Sequence, residues 1–162
     1  MVSESIKTLL NERIYQEELS SRLYTAMSVW LDNFGYKGAA KWLKKQANDE
    51  LDHAQWSRDY LMSFDILPET RPLEAVENKY SNLQTILLKV YEHELLVTKQ
   101  CNDLAKRAMT EGDFLCFSLA QKYLDEQREE LEVSNDVVTL LKVYGETPVG
   151  LGHIDEILGE MA

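Results

Sequence analysis

Four glutamates and one histidine occupy positions in this sequence where the spacing of apolar residues predicts buried side chains. Glu17 lies three residues after Ile14 and seven before Tyr24, so an α-helix would point all three to one face. Burying four ionised carboxylates together is prohibitive unless they are protonated or cations lie among them. The pattern therefore predicts a metal site. The other members keep the same three-, four- or seven-residue spacing to apolar neighbours: Glu50, His53, Glu94 and Glu130.

The ligand types narrow the choice of metal. Four carboxylates carry −4, two divalent ions would carry +4, and a neutral imidazole from His53 adds a nitrogen ligand without changing that balance. An oxygen-rich set with one imidazole suits Fe(II), Mn(II) or, less well, Zn(II), whereas copper and structural zinc take more nitrogen or sulfur. Since two ferrous ions held close together can each give one electron to O2, we take O2-driven Fe(II) oxidation as the working hypothesis.

The elements that must position these residues are long helices. All ten Gly and Pro residues fall outside four stretches, which are residues 1–34, 39–67, 73–111 and 113–144. Within each stretch, apolar residues recur with a helical period. We expect Ser3 and Asp113 to cap the first and fourth helices and Ser81 with Gln84 to form a capping box for the third. The predicted helices cover about residues 4–34, 37–65, 80–110 and 113–144.

The connections between these helices predict the topology. Gly35 to Gly38 and Thr110 to Asp113 allow only tight reversals, so each outer pair of helices is an antiparallel hairpin. The connection 65–79 can stretch to roughly 50 Å, enough to run the length of a helix of thirty residues. The prediction is an all-α, single-domain protein (1–162): a four-helix bundle with one long crossover between helices 2 and 3, over about 4–144, and a short C-terminal fifth helix over about 150–161.

Within such a bundle the four glutamates lie within about 3 Å of the middle of their helices, because each is about two residues or fewer from a midpoint. Any one of them alone could be a boundary residue whose carboxylate reaches solvent, and His53 alone could be structural. Boundary residues have no reason to recur once per helix at matching depth. A helical interaction module without metal would leave the four glutamates unexplained.

Other polar residues near the predicted site have two interpretations each. Tyr24 is either core packing or a hydrogen-bond donor and electron source beside the metal, and Gln127 is either a solvated amide or a neighbour of the ligands. The acidic residues that flank the ligands form either a solvated face or an adjoining metal site. These are Asp49, Glu126 and Glu129.

Composition excludes other classes of function. The chain has 28 acidic and 17 basic residues, a formal charge of −11, which disfavours binding to nucleic acid or anionic lipid and favours cations. No apolar run approaches the ~18 residues of a membrane span, and the first residues lack a signal-peptide core. Cys101 and Cys116 are expected to be buried apolar residues. We therefore expect a cytoplasmic protein with no membrane or nucleic-acid partner.

Several motifs, in their order and spacing, make nearly the whole chain similar to the ferritin family, and specifically to the bacterial non-haem type. They are Asn11-Glu12-Arg13-Ile14-Tyr15-Gln16-Glu17, Gly38-Ala39-Ala40, Asp49-Glu50-Leu51-Asp52-His53, Tyr91-Glu92-His93-Glu94, and Glu126-Gln127-x-Glu129-Glu130.

The resemblance implies a ferritin-like bundle and a homo-oligomeric shell of 24 subunits. The shell would oxidise Fe(II) with O2 or hydrogen peroxide and store a ferric mineral. The resemblance also implies ligand sets: Glu17, Glu50 and His53 for one iron, Glu50, Glu94 and Glu130 for a second, with Gln127 and Tyr24 close by, and a third site at Asp49, Glu126, Glu129 and Glu130.

Departures from the family pattern refine these expectations. Haem-binding bacterioferritins carry Met where this chain has Leu51 and a second Glu-x-x-His where it has Gln127-x-x-Glu130, so no haem is expected. The family usually has Glu where Asp49 stands, which weakens the third site. Animal ferritins line their threefold pores with two acidic residues, and the corresponding positions in this chain are Phe117 and Ala120. The sequence therefore does not predict where iron enters. A di-iron peroxidase or oxygenase would need space beside the metals.

Overall fold

The computed structural model describes all 162 residues and contains five α-helices and no strands. Two predicted caps are confirmed: the Ser3 hydroxyl accepts from the amide of Ile6 at 3.2 Å, and Asp113 Oδ1 accepts from that of Cys116 at 2.9 Å. The bounds of the first and fourth helices lie within one residue of those predicted, and the other bounds lie within three residues. The helices are α1 (Glu4–Asn33), α2 (Lys37–Met62), α3 (Leu83–Glu111), α4 (Phe114–Tyr144) and α5 (Pro148–Met161).

The predicted start of the third helix was wrong. α3 begins at Leu83 and its cap is Asn82, whose Oδ1 accepts from the amide of Thr85 at 2.8 Å. Asn caps a helix at least as well as Ser. Gln84 does not close a capping box with Ser81: its Oε1 accepts no hydrogen bond, and its amide nitrogen donates to the carbonyl of Gly145 at 3.1 Å, at the end of α4.

Two further bounds differ for local reasons. α2 ends at Met62, three residues before the predicted end, and Asp65 has a φ of 58°, which a helix does not allow. α5 starts at Pro148 because the hydroxyl of Thr147 caps it, accepting from the amide of Gly150 at 3.0 Å. Pro is well suited to the first position of a helix, where no amide hydrogen is required.

The topology follows the prediction. The tight turns contain Gly35 and Gly112, whose φ angles of 92° and 70° favour glycine, and α1–α2 and α3–α4 are hairpins. The crossover is tied to α1 where Asn11 accepts from the amide of Glu69 at 2.8 Å, and its end reaches Trp30, whose ring lies 6.1 Å from that of Tyr80. It therefore follows α1 for about 28 Å at 1.5 Å per residue. None of the helices combines the length and apolarity that crossing a membrane requires.

The apolar core is divided into two clusters. One contains Tyr24, Leu43 and Leu87 and extends to Ile154 and Leu158 of α5. The other is built from the opposite ends of the four long helices, and both cysteines are buried in it as free thiols, as expected. Between the two clusters lies a polar layer, which comprises Glu17, Glu50, His53, Glu94, Gln127 and Glu130.

Candidate metal centre

The polar layer is formed by one stretch from each long helix. Glu17, Glu50 and Glu94 are 1–2% exposed, and only Glu130 keeps partial access to solvent. Each lies between apolar residues that enter the two core clusters, as Glu17 does between Ile14 and Tyr24. The helical period thus turns these carboxyl groups inward because the neighbouring apolar residues must be buried.

Three members of the layer form a compact group that could hold a cation. Ligand atoms of Glu17, Glu50 and His53 all lie within 4.8 Å of one another, and the group is called the three-residue cluster below. His53 Nδ1 is 3.1 Å from Glu50 Oε2 and 3.9 Å from Glu17 Oε2. Glu17 Oε2 is buried and has no hydrogen-bond partner. An orphaned anionic oxygen beside an imidazole nitrogen fits a bound metal ion.

Arg13 is a buried cation at this cluster that sequence reasoning missed. It lies one helical turn before Glu17, and its Nε and Nη2 donate to Glu17 Oε1 at 3.0 and 2.6 Å. Its Nη1 donates to Gln100 Oε1 of α3 at 2.8 Å. The available signal was the four-residue spacing to Glu17, which places the two side chains on neighbouring turns of one face. One carboxylate of the layer is therefore neutralised by the protein itself.

Glu94 is held by two donors from other helices. The hydroxyl of Tyr24 donates to Glu94 Oε1, and the amide of Gln127 donates to Glu94 Oε2 at 2.9 Å. Tyr24 is fully buried, so it is both a core residue and a hydrogen-bond donor, while Gln127 is buried in the layer rather than solvated. These contacts fix the carboxyl group of Glu94 between α1 and α4.

Glu130 is oriented by a second residue that the sequence did not single out. With its amide nitrogen toward Glu130, Gln46 donates to Glu130 Oε2 at 3.1 Å and accepts from Trp42 Nε1 at 3.3 Å. Gln46 precedes Glu50 by one turn, just as Arg13 precedes Glu17. Trp42 is buried, whereas Trp30 and Trp56 are only partly covered in this chain.

The charges of the layer are balanced by Arg13 and by protons. Burial raises the pKa of Glu50, and the charge of Glu17 raises it further. Burial likewise raises the pKa of Glu94, and it raises that of Glu130 to about 8, with the charges of Glu94 and Glu126 adding to the effect. For Glu17 burial is the largest effect and acts in the same sense, but Arg13, Glu50 and His53 together outweigh it, so the net pKa is lowered. A metal ion entering the layer must therefore displace protons.

An acidic cavity of about 540 Å³ lies on the surface side of His53, the member of the three-residue cluster that lines it. His53 Nε2 faces it and lies 3.6 Å from Glu126 Oε1, so the imidazole separates the buried cluster from this cavity. Asp49 also lines it, although Asp49 Oδ2 is paired with Lys45 Nζ at 3.0 Å. Glu129 is exposed and has no hydrogen bond or ion pair. The structure thus brings Asp49 and Glu126 to the site but not Glu129.

The remaining residues named from the sequence lie away from the layer. Phe117 is partly buried and Ala120 is fully buried against the second core cluster, so neither offers a polar lining to a pore in this chain. Leu51, which follows Glu50 in sequence, is 48% exposed and points away from the bundle interior.

Comparison with known proteins agrees with this architecture. The family model described as a ferritin-like domain matches residues 7–143. The chain is 35% identical over 162 residues to a probable bacterial non-heme ferritin-like protein of Haemophilus influenzae, covering 100% of this chain and 98% of that one. It is 36% identical over 152 residues to a bacterial non-heme ferritin of Escherichia coli, covering 94% and 92% of the two chains.

Solved structures extend the agreement to three dimensions. A structure described as a novel open pore ferritin from the archaeon Archaeoglobus fulgidus superimposes with a TM-score of 0.94 at 31% identity and covers 98% of both chains. The fold, the family model and the full-length relatives all lead to one assignment: this chain belongs to the ferritin family, and bacterial non-haem ferritins are among its full-length relatives.

Proposed function

We propose that this protein is an iron-storage ferritin that oxidises Fe(II) at a two-iron centre and keeps the ferric product as a mineral inside a shell of 24 copies. The observation that carries the proposal is the three-residue cluster with its orphaned oxygen, Glu17 Oε2, in the middle of the bundle. Oxygen and imidazole ligands of this kind suit ferrous iron.

The proposed ligand sets share one carboxylate. The first iron would take Glu17 Oε2, Glu50 and His53 Nδ1, and the second would take Glu50, Glu94 and Glu130. Support for the second set comes from electrostatics, because Glu94 and Glu130 lie close enough to Glu50 for their charges to raise its pKa. Glu50 is thus the residue common to both positions.

Protons already held in the layer would balance the reaction. Two Fe(II) ions lose one electron each, and the electron pair with two protons converts O2 to hydrogen peroxide, or hydrogen peroxide to two water molecules. The carboxyl groups of Glu50, Glu94 and Glu130 have raised pKa values and release protons on iron binding, so they can supply protons beside the reacting ions.

A third iron site would lie on the surface side of His53. Glu126 and Asp49 face the acidic cavity there, and Glu130 is close enough for Glu126 and Asp49 to raise its pKa. Glu129 would have to change its position to join them. We propose this region as the exit of oxidised iron toward the mineral, because its carboxylates adjoin the first two positions and are open to solvent.

Assembly into a shell is supported by the apolar groups that one chain leaves uncovered. Phe114 and Leu115 at the start of α4 are 70% and 65% exposed, which is unusual for residues of this size unless another subunit covers them. These exposed apolar residues favour a homo-oligomer. The −11 charge of the chain and its ferritin relatives favour a cytoplasmic protein that binds cations. We propose no haem, because a leucine side chain offers no ligand at Leu51.

The rival function on this fold, a di-iron oxygenase or peroxidase with an organic substrate, is disfavoured by packing. Tyr24 and Tyr123 are buried on the two sides of the polar layer, where such a substrate would need room. The hydroxyl of Tyr123 is itself fixed, since it donates to the carbonyl of His53 at 2.5 Å.

Anaerobic titration with Fe(II), followed by rapid mixing with O2, tests the proposal. We expect about two Fe(II) per chain to be oxidised in a fast phase. Iron added slowly in air should stay soluble and co-elute with an assembly of about half a megadalton on size exclusion. A protein that elutes as monomer or dimer while iron precipitates would refute storage. Saturation at one Fe(II) per chain would refute the two-iron centre.

A further inference from the structure

Arg13 is fixed in the bundle from three helices. Its side chain on α1 is 3% exposed, its Nη1 is anchored on Gln100 of α3, and its guanidinium carbon lies 5.8 Å from the ring centroid of Tyr123 on α4. Its other two donors both contact Glu17 Oε1. A guanidinium does not lose its proton in a protein, so this positive charge persists whatever else enters the layer.

The two oxygens of Glu17 consequently have different roles. Oε1 receives two charge-assisted hydrogen bonds from Arg13, while Oε2 is buried, unpartnered and directed toward His53 Nδ1 at 3.9 Å. A metal in the three-residue cluster can reach Oε2 only, because Oε1 accepts both hydrogen bonds from Arg13. The same metal must also lie near a fixed positive charge, and like charges repel strongly where water is excluded.

We infer that Arg13 is a built-in counterion that limits metal affinity at the three-residue cluster, by holding Glu17 to one coordinating oxygen and by opposing the charge of the bound ion. This inference rests on the proposed function, since it assumes that the cluster binds metal. The repulsion grows with ionic charge, so it acts more strongly on Fe(III) than on Fe(II). Arg13 would thereby favour departure of the oxidised product and keep the position free for new substrate.

Zn(II) binding to the assembled apoprotein provides a test without redox chemistry. Arg13→Gln removes the charge but keeps an amide donor, and Arg13→Lys keeps the charge. Arg71→Gln is the matched control. Arg71 lies in the crossover, outside the polar layer, and pairs at 2.8 Å with Glu12, which is on α1 like Arg13. In competition with a chromophoric chelator, we expect R13Q to bind the first Zn(II) at least about tenfold more tightly than wild type, and R13K and R71Q to stay within about threefold.

The possible results separate the inference from a purely structural ion pair. Unchanged or weaker Zn(II) binding in R13Q would overturn the inference. If R13Q does not assemble, Arg13→Met fills the buried volume without charge, and the Zn(II)-induced rise in its melting temperature is compared with that of wild type. A larger rise supports the inference, and failure to assemble with Zn(II) present, or an equal or smaller rise, overturns it. Wild-type protein that binds no Zn(II) would instead refute the metal centre proposed above.

Discussion

Metal binding to the polar layer should strengthen as the pH rises from 7.0 to 8.5. The perturbation acts on Glu130, whose pKa is raised to about 8 first by burial and then by the charges of Glu94 and Glu126. At pH 7 its carboxyl group is mostly protonated, so a metal ion at the second position must displace a proton. That displacement costs about 1.4 kcal/mol for each pH unit below the pKa.

The magnitude follows from one titrating group. The fraction of Glu130 that is ionised rises from about one eleventh at pH 7.0 to about three quarters at pH 8.5, so the affinity for the second metal should increase about eightfold and then level off. The raised pKa values of Glu50 and Glu94 can only steepen this dependence.

The same raised pKa has the opposite consequence for the metal-free protein. A carboxyl group with a higher pKa in the folded state stabilises the fold at pH values below its ordinary pKa near 4.5. That contribution is lost as the pH rises through about 8. Apoprotein should therefore unfold more easily at pH 8.5 than at pH 6, and bound metal should reduce the difference.

Zn(II) calorimetry in two buffers of different ionisation enthalpy measures both the affinity and the protons released. We expect at least about one proton released per chain at pH 7 as the second position fills. Glu130→Gln is the control, because it has no proton to displace: it should bind the second Zn(II) more weakly and with a shallower pH dependence. Affinity that does not change from pH 7.0 to 8.5, with no proton release, would contradict this account of the layer.

Three substitutions test other parts of the structure. Glu50→Ala should abolish the fast oxidation phase and the binding of two metal ions per chain, since both proposed ligand sets use this carboxylate; fast oxidation at the wild-type rate would contradict the shared role. Asp49→Ala should leave the first turnover within about twofold of wild type, measured by stopped flow, because Asp49 contacts the cavity rather than the buried cluster. Gly38→Ala should lower the free energy of unfolding by on the order of 2–4 kcal/mol, because the added Cβ would come within 2.0 Å of the carbonyl oxygen of Asp155 in α5. Gly152→Ala, where a Cβ meets nothing within 4 Å, is its control in thermal melts.

The helices and the depth of the glutamates could be predicted from the sequence because both depend on local rules. Glycine and proline fall at or beyond the ends of the four long helices, and a residue three, four or seven positions from a buried apolar residue shares its face. Glu17 and Glu94 are therefore placed inside the bundle before any contact between helices is known. The crossover was predictable for a similar reason, since only a long connection can span a helix of thirty residues.

Contacts between helices could not be predicted in this way. The predicted cap of α3 was Ser81, but Asn82 caps the helix, and the amide nitrogen of Gln84 donates to the carbonyl of Gly145, more than sixty residues later. Similarly, nothing in the sequence distinguishes Gln46 from the other polar residues of α2. Its contact with Glu130 Oε2 at 3.1 Å depends on how α4 packs beside α2. Such contacts depend on the angles between packed helices and on their relative positions along the helix axes. The spacing of apolar residues in the sequence determines neither.

The sequence by itself determined that four carboxylates meet in one layer, because helical period and apolar burial leave them no other place. How that charge is balanced was decided only by the tertiary structure. Arg13 and Glu17 are near each other in any helix, yet only enclosure by Gln100 and Tyr123 buries their ion pair, leaves Glu17 Oε2 free and raises the pKa values of the other carboxyl groups. Desolvation depends on everything that surrounds a group, and that arrangement exists only once the helices have packed.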